Sequence, residues 1–441
     1  MAILTAMRPS AEDEDPGPPT RRARAARLAR GAVLDLTPLR VSREFRLLWL
    51  GEIVSHTGRH ITVIALPFQV YQLTRSPLAV GLIGLVQVLP LMAGSMIGGA
   101  AADVVDRRKL LLATQSALVV TGLLFVWGAT MDATPLPFLY VVAALNAGLT
   151  AVDAPARTSA IPNLVGKENL ASAMALNQVL FQLSDVAGPA LAGLIIARFG
   201  LVWAYAADVT SFLATIGALL AMRPMPPIRE EGRAVARGFR SIREGFSYLR
   251  GRRVLQSTFW VDLVAMIFGM PRALFPVLAA EAFHIGAQGL GLLYAAPAAG
   301  ALVGAALTGW VRHVRHQGRA VLWAVAVWGV AILGFGLSTG AFWLALMFLA
   351  IAGTADVISA IFRTTILQST VPDSLRGRLS SIHFMVVVGG PRLGDLEAGA
   401  VAALTSPVFS VVSGGLACVV GVGLLALLVP AFARYHAGEP A

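Results

Sequence analysis

Hydrophobic positions in this chain fall in long runs separated by short polar breaks, with no sustained alternation of the strand type. A hydrocarbon core of about 30 Å needs roughly 20 apolar residues in helical form, and the sequence offers that length repeatedly. Runs and breakers place spans near 47–71, 78–102, 110–130, 136–156, 174–197 and 202–222. After a polar segment, further spans are predicted near 254–279, 287–310, 320–338, 341–362, 379–403 and 407–431. The alternating segments of a membrane barrel are absent. The pattern predicts an all-α membrane protein with twelve transmembrane helices.

The same rhythm predicts the domains. Residues 1–45 read as a disordered N-terminal tail, 46–222 and 254–431 as two six-helix bundles, 223–253 as a basic linker, and 432–441 as a C-terminal tail. The first residues lack an apolar stretch followed by a small-residue cleavage site, so they are not read as a secretory signal. A shift of 206 residues superposes Gly94-x-x-x-Gly98 on Gly300-x-x-x-Gly304, Arg157-Thr158 on Arg363-Thr364, and Gly188/Gly193 on Gly394/Gly399. One constant offset across three helix pairs predicts that the bundles are pseudo-symmetric repeats. In the linker, Phe239, Ile242, Phe246 and Leu249 recur at helical spacing opposite Arg240 and Arg243. That is either an amphipathic helix in the membrane interface or a plain connector.

Composition strengthens the membrane reading. The 441 residues are 56% hydrophobic and only 13% charged, against roughly 25% charged in soluble domains. Mean hydropathy is +0.72. The shortage of charge is spread along the chain, which excludes a soluble enzyme with a single anchor. The net charge of +11 would suit nucleic acid, but its placement argues otherwise. Thirty of the 35 Lys and Arg lie in the tails and the even-numbered loops, and only Arg75 and Arg198 in the opposite loops. Positive loops face the cytoplasm, so both termini and the linker are expected there, with no nucleic-acid partner. The basic part of the tail, 21–30, is suited to anionic lipid headgroups.

The single cysteine, Cys418, excludes an internal disulfide. Neither Lys109 nor Lys167 stands in a phosphate-cradling P-loop, and no His-Glu-x-x-His pattern occurs. No cofactor or metal is expected, and nothing arranges a nucleophile, base and orienting acid as an enzyme would.

Ionisable groups inside spans are costly and mark function by default. Glu52, His56, Arg59 and His60 form one stripe along the first span. The stripe is read as a coupling or substrate-binding face on the central cavity, with Glu52 as the titratable acid; the competing reading is an interhelical network that only holds the bundle. Asp185, Asp262 and Arg272 are single intramembrane charges suited to a cavity wall, and Asp208 is expected nearer the interface. Arg392 and Asp395 are spaced to neutralise one another, while Glu397 points elsewhere. Asp153/Arg157 and Asp356/Arg363 each share a helix face and are gate charges or structural pairs. Phe68, Trp260 and Tyr294 could supply aromatic contacts to a ligand, although aromatics in spans more often pack.

The stretch Gly98-Gly99-Ala100-Ala101-Ala102-Asp103-Val104-Val105-Asp106-Arg107-Arg108-Lys109 resembles the signature of the Major Facilitator Superfamily. That signature has a glycine, an aspartate four residues on, and a paired basic cluster. Val104 stands where a basic residue is usual and Asp106 where a glycine is usual. The resemblance implies a latch on the cytoplasmic side: Gly99 lets helices approach, and Asp103, beside Arg107 and Arg108, faces a helix N-terminus or an arginine of the other half. Five further stretches are similar to the branch of siderophore exporters and macrolide-type efflux pumps. They are Val165-Gly166-Lys167-Glu168-Asn169-Leu170, Gly188-Pro189-Ala190-Leu191-Ala192-Gly193, Gly238-Phe239 to Tyr248-Leu249, Leu292-Leu293-Tyr294-Ala295-Ala296 and Leu393-Gly394-Asp395.

The resemblance, covering about residues 40 to 430, implies a monomeric, proton-coupled secondary transporter in the cytoplasmic (inner) membrane of a prokaryote. Its expected cargo is a siderophore or related metabolite. The nearest alternative is a multidrug efflux pump for amphipathic compounds. A non-transporting membrane sensor on the same fold is a rival of another class.

Overall fold

The computed structural model describes residues 35–226, 244 and 247–436, and among them the only regular structure is helical. The expected N-terminal tail before Asp35 and most of the linker, with Phe239, Ile242 and Phe246, lie outside the described residues. Leu249 is buried, and the Arg252 guanidinium stacks 3.7 Å from the Tyr248 ring centroid. At the first described residue, Asp35 accepts hydrogen bonds from Thr37 and from Ser172 (2.7 Å). The Thr37 bonds hold its carboxyl below the usual range.

The main helices are α1 (Arg43–Thr74), α2 (Pro77–Val104), α3 (Arg107–Ala129), α4 (Leu136–Phe199), α5 (Leu201–Leu220) and α6 (Arg253–Phe268), followed by α7 (Phe275–Glu281), α8 (Ala287–Ala306), α9 (Gln317–Leu337), α10 (Phe342–Thr370), α11 (Asp373–Leu404) and α12 (Pro407–Leu428). Their starts follow local chemistry. Ser42, Ser76, Asp106 and Ser406 cap α1, α2, α3 and α12 by accepting the backbone N–H three residues on. Asp106, which departs from the glycine of the family signature, therefore has a structural task of its own.

Among the described residues, nine helical stretches are long and apolar enough to cross a membrane, counting Arg253–Glu281 as one. The 64-residue α4 would run about 96 Å if straight, far more than one crossing. It is two helices joined at a kink, where Gly166 takes φ +73° and ψ 172°. The stretch 157–173, expected to be a loop, is helical on both sides of that glycine. α1 and α11, at 32 residues each, are also long enough to cross but carry more charge. With α4 taken as two and these added, the helical segments long enough to cross number twelve among the described residues, nine stretches being apolar enough as well.

The surface is that of a protein in lipid. Only 28% of the most apolar stretch of α2, and of α12, is buried. Leu404, Leu427 and Trp343 are each more than three-quarters exposed. A water-soluble chain does not display apolar surface on this scale.

Helices α1 to α5 pack on one another, as do α6 to α12, and two seams join the groups: α2 against α11 and the second arm of α4 against α8. Both seams close where glycines remove side chains. A Cβ on Gly81 would lie 2.5 Å from the Asp395 carbonyl, and one on Gly291 would lie 2.9 Å from the Gly193 Cα. Since Gly81 is near the start of α2 and Gly399 near the end of α11, that seam lies on the face opposite the chain termini. The Gly193–Gly291 seam lies on the same far face. There too Tyr71 donates to Glu281, the one hydrogen bond between the groups among the described residues.

The internal repeat is visible in the packing. Gly188 rests on His60, and Gly394, 206 residues later, rests on Met266, itself 206 residues after His60. Gly94 and Gly98 seat α2 on α4 as Gly300 and Gly304 seat α8 on α10.

Candidate functional site

The two groups line a cavity of about 270 Å³ between them. From the first group come His60, Val63 and Ile64 of α1 with Gln182, Asp185 and Pro189 of α4. From the second come Met270, Pro271, Arg272, Phe275, Tyr294, Trp328, Ile332 and Asp356. The wall is mostly apolar, with two carboxylates, one arginine and a cluster of aromatic rings.

A break in the backbone builds the second side. The span expected as one helix over 254–279 stops at Phe268, passes through Gly269-Met270-Pro271, and resumes as a 3-10 turn and α7. Proline cannot donate the N–H that a continuous helix requires. The freed carbonyls find partners from the cavity wall. Trp328 Nε1 donates to Gly269 O at 2.6 Å, and the Tyr294 hydroxyl donates to Arg272 O at 3.0 Å. Irregular backbone inside a membrane is tolerated where protein or a cavity satisfies it. The sequence reading missed this break, although Gly and Pro two residues apart mid-span were its signal.

The α1 stripe divides. His60 reaches the cavity and sits 2.7 Å from Asp185 Oδ1. His56 lies one turn away, 5.0 Å ring to ring from His60, against Phe181. Glu52 is 4% exposed and faces inward among the first group's helices, within electrostatic reach of Arg157 and Arg59. Asp153, fully buried, accepts from Thr114 at 2.8 Å and Gln115 at 3.0 Å and pairs with Arg157 Nε. Both Arg157 Nη atoms and the Arg59 Nε are buried without a hydrogen-bond partner. Asp208, expected near the interface, is instead 1% exposed and accepts from Thr62 at 2.5 Å. It sits there because Gly58 and Ser211 let α5 close tightly on α1.

In the second group Asp262 lies away from the cavity wall, paired with Arg363, which also reaches Asp356 at 3.8 Å. Asp395 accepts the Ala273 N–H at 3.1 Å, pinning the broken span to α11. Arg272 and Tyr294 are at the cavity; Trp260 is 58% exposed on the outer surface, and Phe68, half-buried, packs against the core.

The signature loop lies at the terminal face. Asp103 is exposed with no hydrogen bond or ion pair among the described residues, and a Cβ on Gly99 would meet nothing within 4 Å. Arg108 donates to the carbonyls of Leu219 (2.7 Å) and Leu220 (2.8 Å) at the C-terminal end of α5, a favourable place for a cation. Arg107 is buried, with its Nε and Nη1 unpartnered.

The chain matches the family model described as transmembrane secretion effector over residues 34–436. It is 27% identical over 408 residues to the enterobactin exporter EntS of Citrobacter koseri, covering 92% of this chain and 97% of that protein. It is 26% identical over 409 residues to the enterobactin exporter EntS of Escherichia coli K12, with the same coverage. Among solved structures, a variant of the nucleoside transporter NupG superposes with a TM-score of 0.73 at 11% identity, over 88% of this chain and all of that one, which bears on the fold alone. The chain is thus a multi-pass membrane transporter, not an enzyme, and it belongs to the transmembrane secretion effector family of the Major Facilitator Superfamily.

Proposed function

We propose that this protein is a proton-coupled exporter of a siderophore or a chemically related metabolite. The observation that carries this reading is the cavity shared by both helix groups and closed on the far face by the two glycine seams and the Tyr71–Glu281 bond. Residues 46–222 and 254–431 act as bundles that rock about that cavity in alternating access. With the termini in the cytoplasm, as the positive loops favour, the far face is outward and the cavity is shut from outside. The protein resides in the inner membrane and works as a monomer.

Catecholate-type siderophores are large, aromatic and anionic. Arg272 with Tyr294, Phe275 and Trp328 offers one cation and aromatic faces on a single wall, suited to such a ligand. Full-length similarity to enterobactin exporters supports the same class. The apolar share of the wall, Val63, Ile64, Ile332 and Leu349, supports multidrug efflux as a second reading.

Glu52 carries the coupling proton, off the cavity wall and within electrostatic reach of Arg157 and Arg59, while Asp153 and Arg157 act as gate charges. Asp103 is a latch that engages only when the terminal face closes, so its freedom here fits a cavity open to the cytoplasm.

The test is a gene deletion under iron limitation. Intracellular siderophore should build up and secretion fall. Normal secretion together with altered antibiotic tolerance would transfer the assignment to drug efflux.

A further inference from the structure

We infer that His56, His60 and Asp185 form a binding site for one divalent transition-metal ion on the wall of the cavity. His56 and His60 stand four residues apart and so face one side of α1. Gly188 brings α4 onto the His60 Cβ, and Asp185, one turn earlier, is thereby set against the imidazole. One ligand atom from each of the three residues lies within 4.8 Å of the other two.

The donor set is two imidazole nitrogens and one carboxylate oxygen. It suits zinc, cobalt, nickel or ferrous iron and is too nitrogen-rich for magnesium or calcium. Ligands about 2.0–2.2 Å from an ion lie no more than about 4.4 Å apart. Around a tetrahedral ion the same bond lengths put neighbouring ligands about 3.3–3.6 Å apart, so the cluster needs an adjustment of about 1 Å, within the reach of side-chain rotation.

A His60–Asp185 ion pair alone leaves one fact unexplained. The Nδ1 of His56 is buried with no hydrogen-bond partner, while Phe181 packs on the ring at 4.7 Å. A metal bound through that nitrogen would supply the missing partner. Three protein ligands leave a coordination position open, the arrangement of reactive rather than structural sites. His60 and Asp185 both line the cavity, so the open position faces the space a cargo would enter. An oxygen-donor chelator in the cavity could complete the coordination shell.

This site does not depend on the export reading, and its test involves no transport. The full chain, purified in detergent, is titrated with Co²⁺ as a spectroscopic probe and with Zn²⁺ by equilibrium dialysis. One Co²⁺ per chain should bind at micromolar concentrations with visible d–d absorption, displaced by Zn²⁺. His60→Ala and Asp185→Asn should each weaken binding at least tenfold, since loss of even an outer partner of a metal ligand costs about 10–100-fold. His316→Ala, beside His436 on the terminal face, should leave it unchanged. If His60→Ala does not fold, His60→Gln serves in its place, read by whether Zn²⁺ still raises the unfolding temperature. Absence of saturable Co²⁺ binding overturns the proposal. So does binding that survives all three cavity substitutions (His56→Gln included) or is lost in His316→Ala.

Discussion

The repeat places Arg157 of the first helix group and Arg363 of the second at equivalent positions, yet the two are held differently. Arg363 uses both Nη atoms on carboxylates from two helices, Asp262 of α6 and Asp356 of its own α10. Arg157 engages one carboxylate, Asp153, through Nε, and both its Nη atoms are buried without a partner. Asp153 is in turn saturated by Thr114 and Gln115, and Glu52 stands nearby without a hydrogen bond of its own among the described residues. A buried cation with idle donors is costly unless something else visits it. The second group's arginine leaves only its Nε idle and ties two helices together, whereas the first group's arginine leaves both Nη atoms idle; exchange of partners at Arg157 is the role proposed for it.

The largest effect expected from this difference is on stability. Arg363→Ala strands Asp262 in the membrane interior and should cost about 3–5 kcal/mol, read by thermal unfolding in detergent. Arg157→Ala leaves Asp153 with two hydrogen bonds and should cost only about 1–3 kcal/mol, while abolishing export. Equal losses would erase the contrast between the groups.

The next effect is conformational. Gly81→Leu forces a side chain into the Asp395 carbonyl and should part the far-face seam. Spin labels at Arg75 and Thr405, in a chain lacking Cys418, should move from one short distance to a longer and broader distribution. An unmoved short distance would mean that the glycines do not hold the outer side shut. The smallest structural effect belongs to Asp103→Asn. Stability should stay within about 0.5 kcal/mol, as for surface changes away from special features, yet export should slow because the latch is needed in the opposite state. A stability loss of several kcal/mol would show that Asp103 has a partner in this state.

Much of this architecture is legible in the sequence, because apolar length alone defines a crossing helix. The repeat was legible too, as glycines must recur wherever backbones meet. What escaped were features that depend on which helices touch. Asp208 reads as an interfacial residue from its place in α5 but is buried because Gly58 admits it. Asp262 reads as a free cavity charge, whereas Arg363, a hundred residues away, takes it. In the sequence His56 and His60 form a single stripe with Glu52 and Arg59; only the crossing of α4 at Gly188 sets the two histidines apart beside Asp185. The broken span after Phe268 was hidden inside an apolar run of ordinary length.

Proton-driven export with coupling in the first helix group can be measured in proteoliposomes with an imposed pH gradient. The wild-type chain should move a catecholate siderophore against its own gradient, and an uncoupler should stop it. Glu52→Gln should lose that uphill movement and keep exchange at equal concentrations. Uphill transport that persists in Glu52→Gln would remove Glu52 from the coupling, and transport that ignores the pH gradient would exclude the proton as the driving ion.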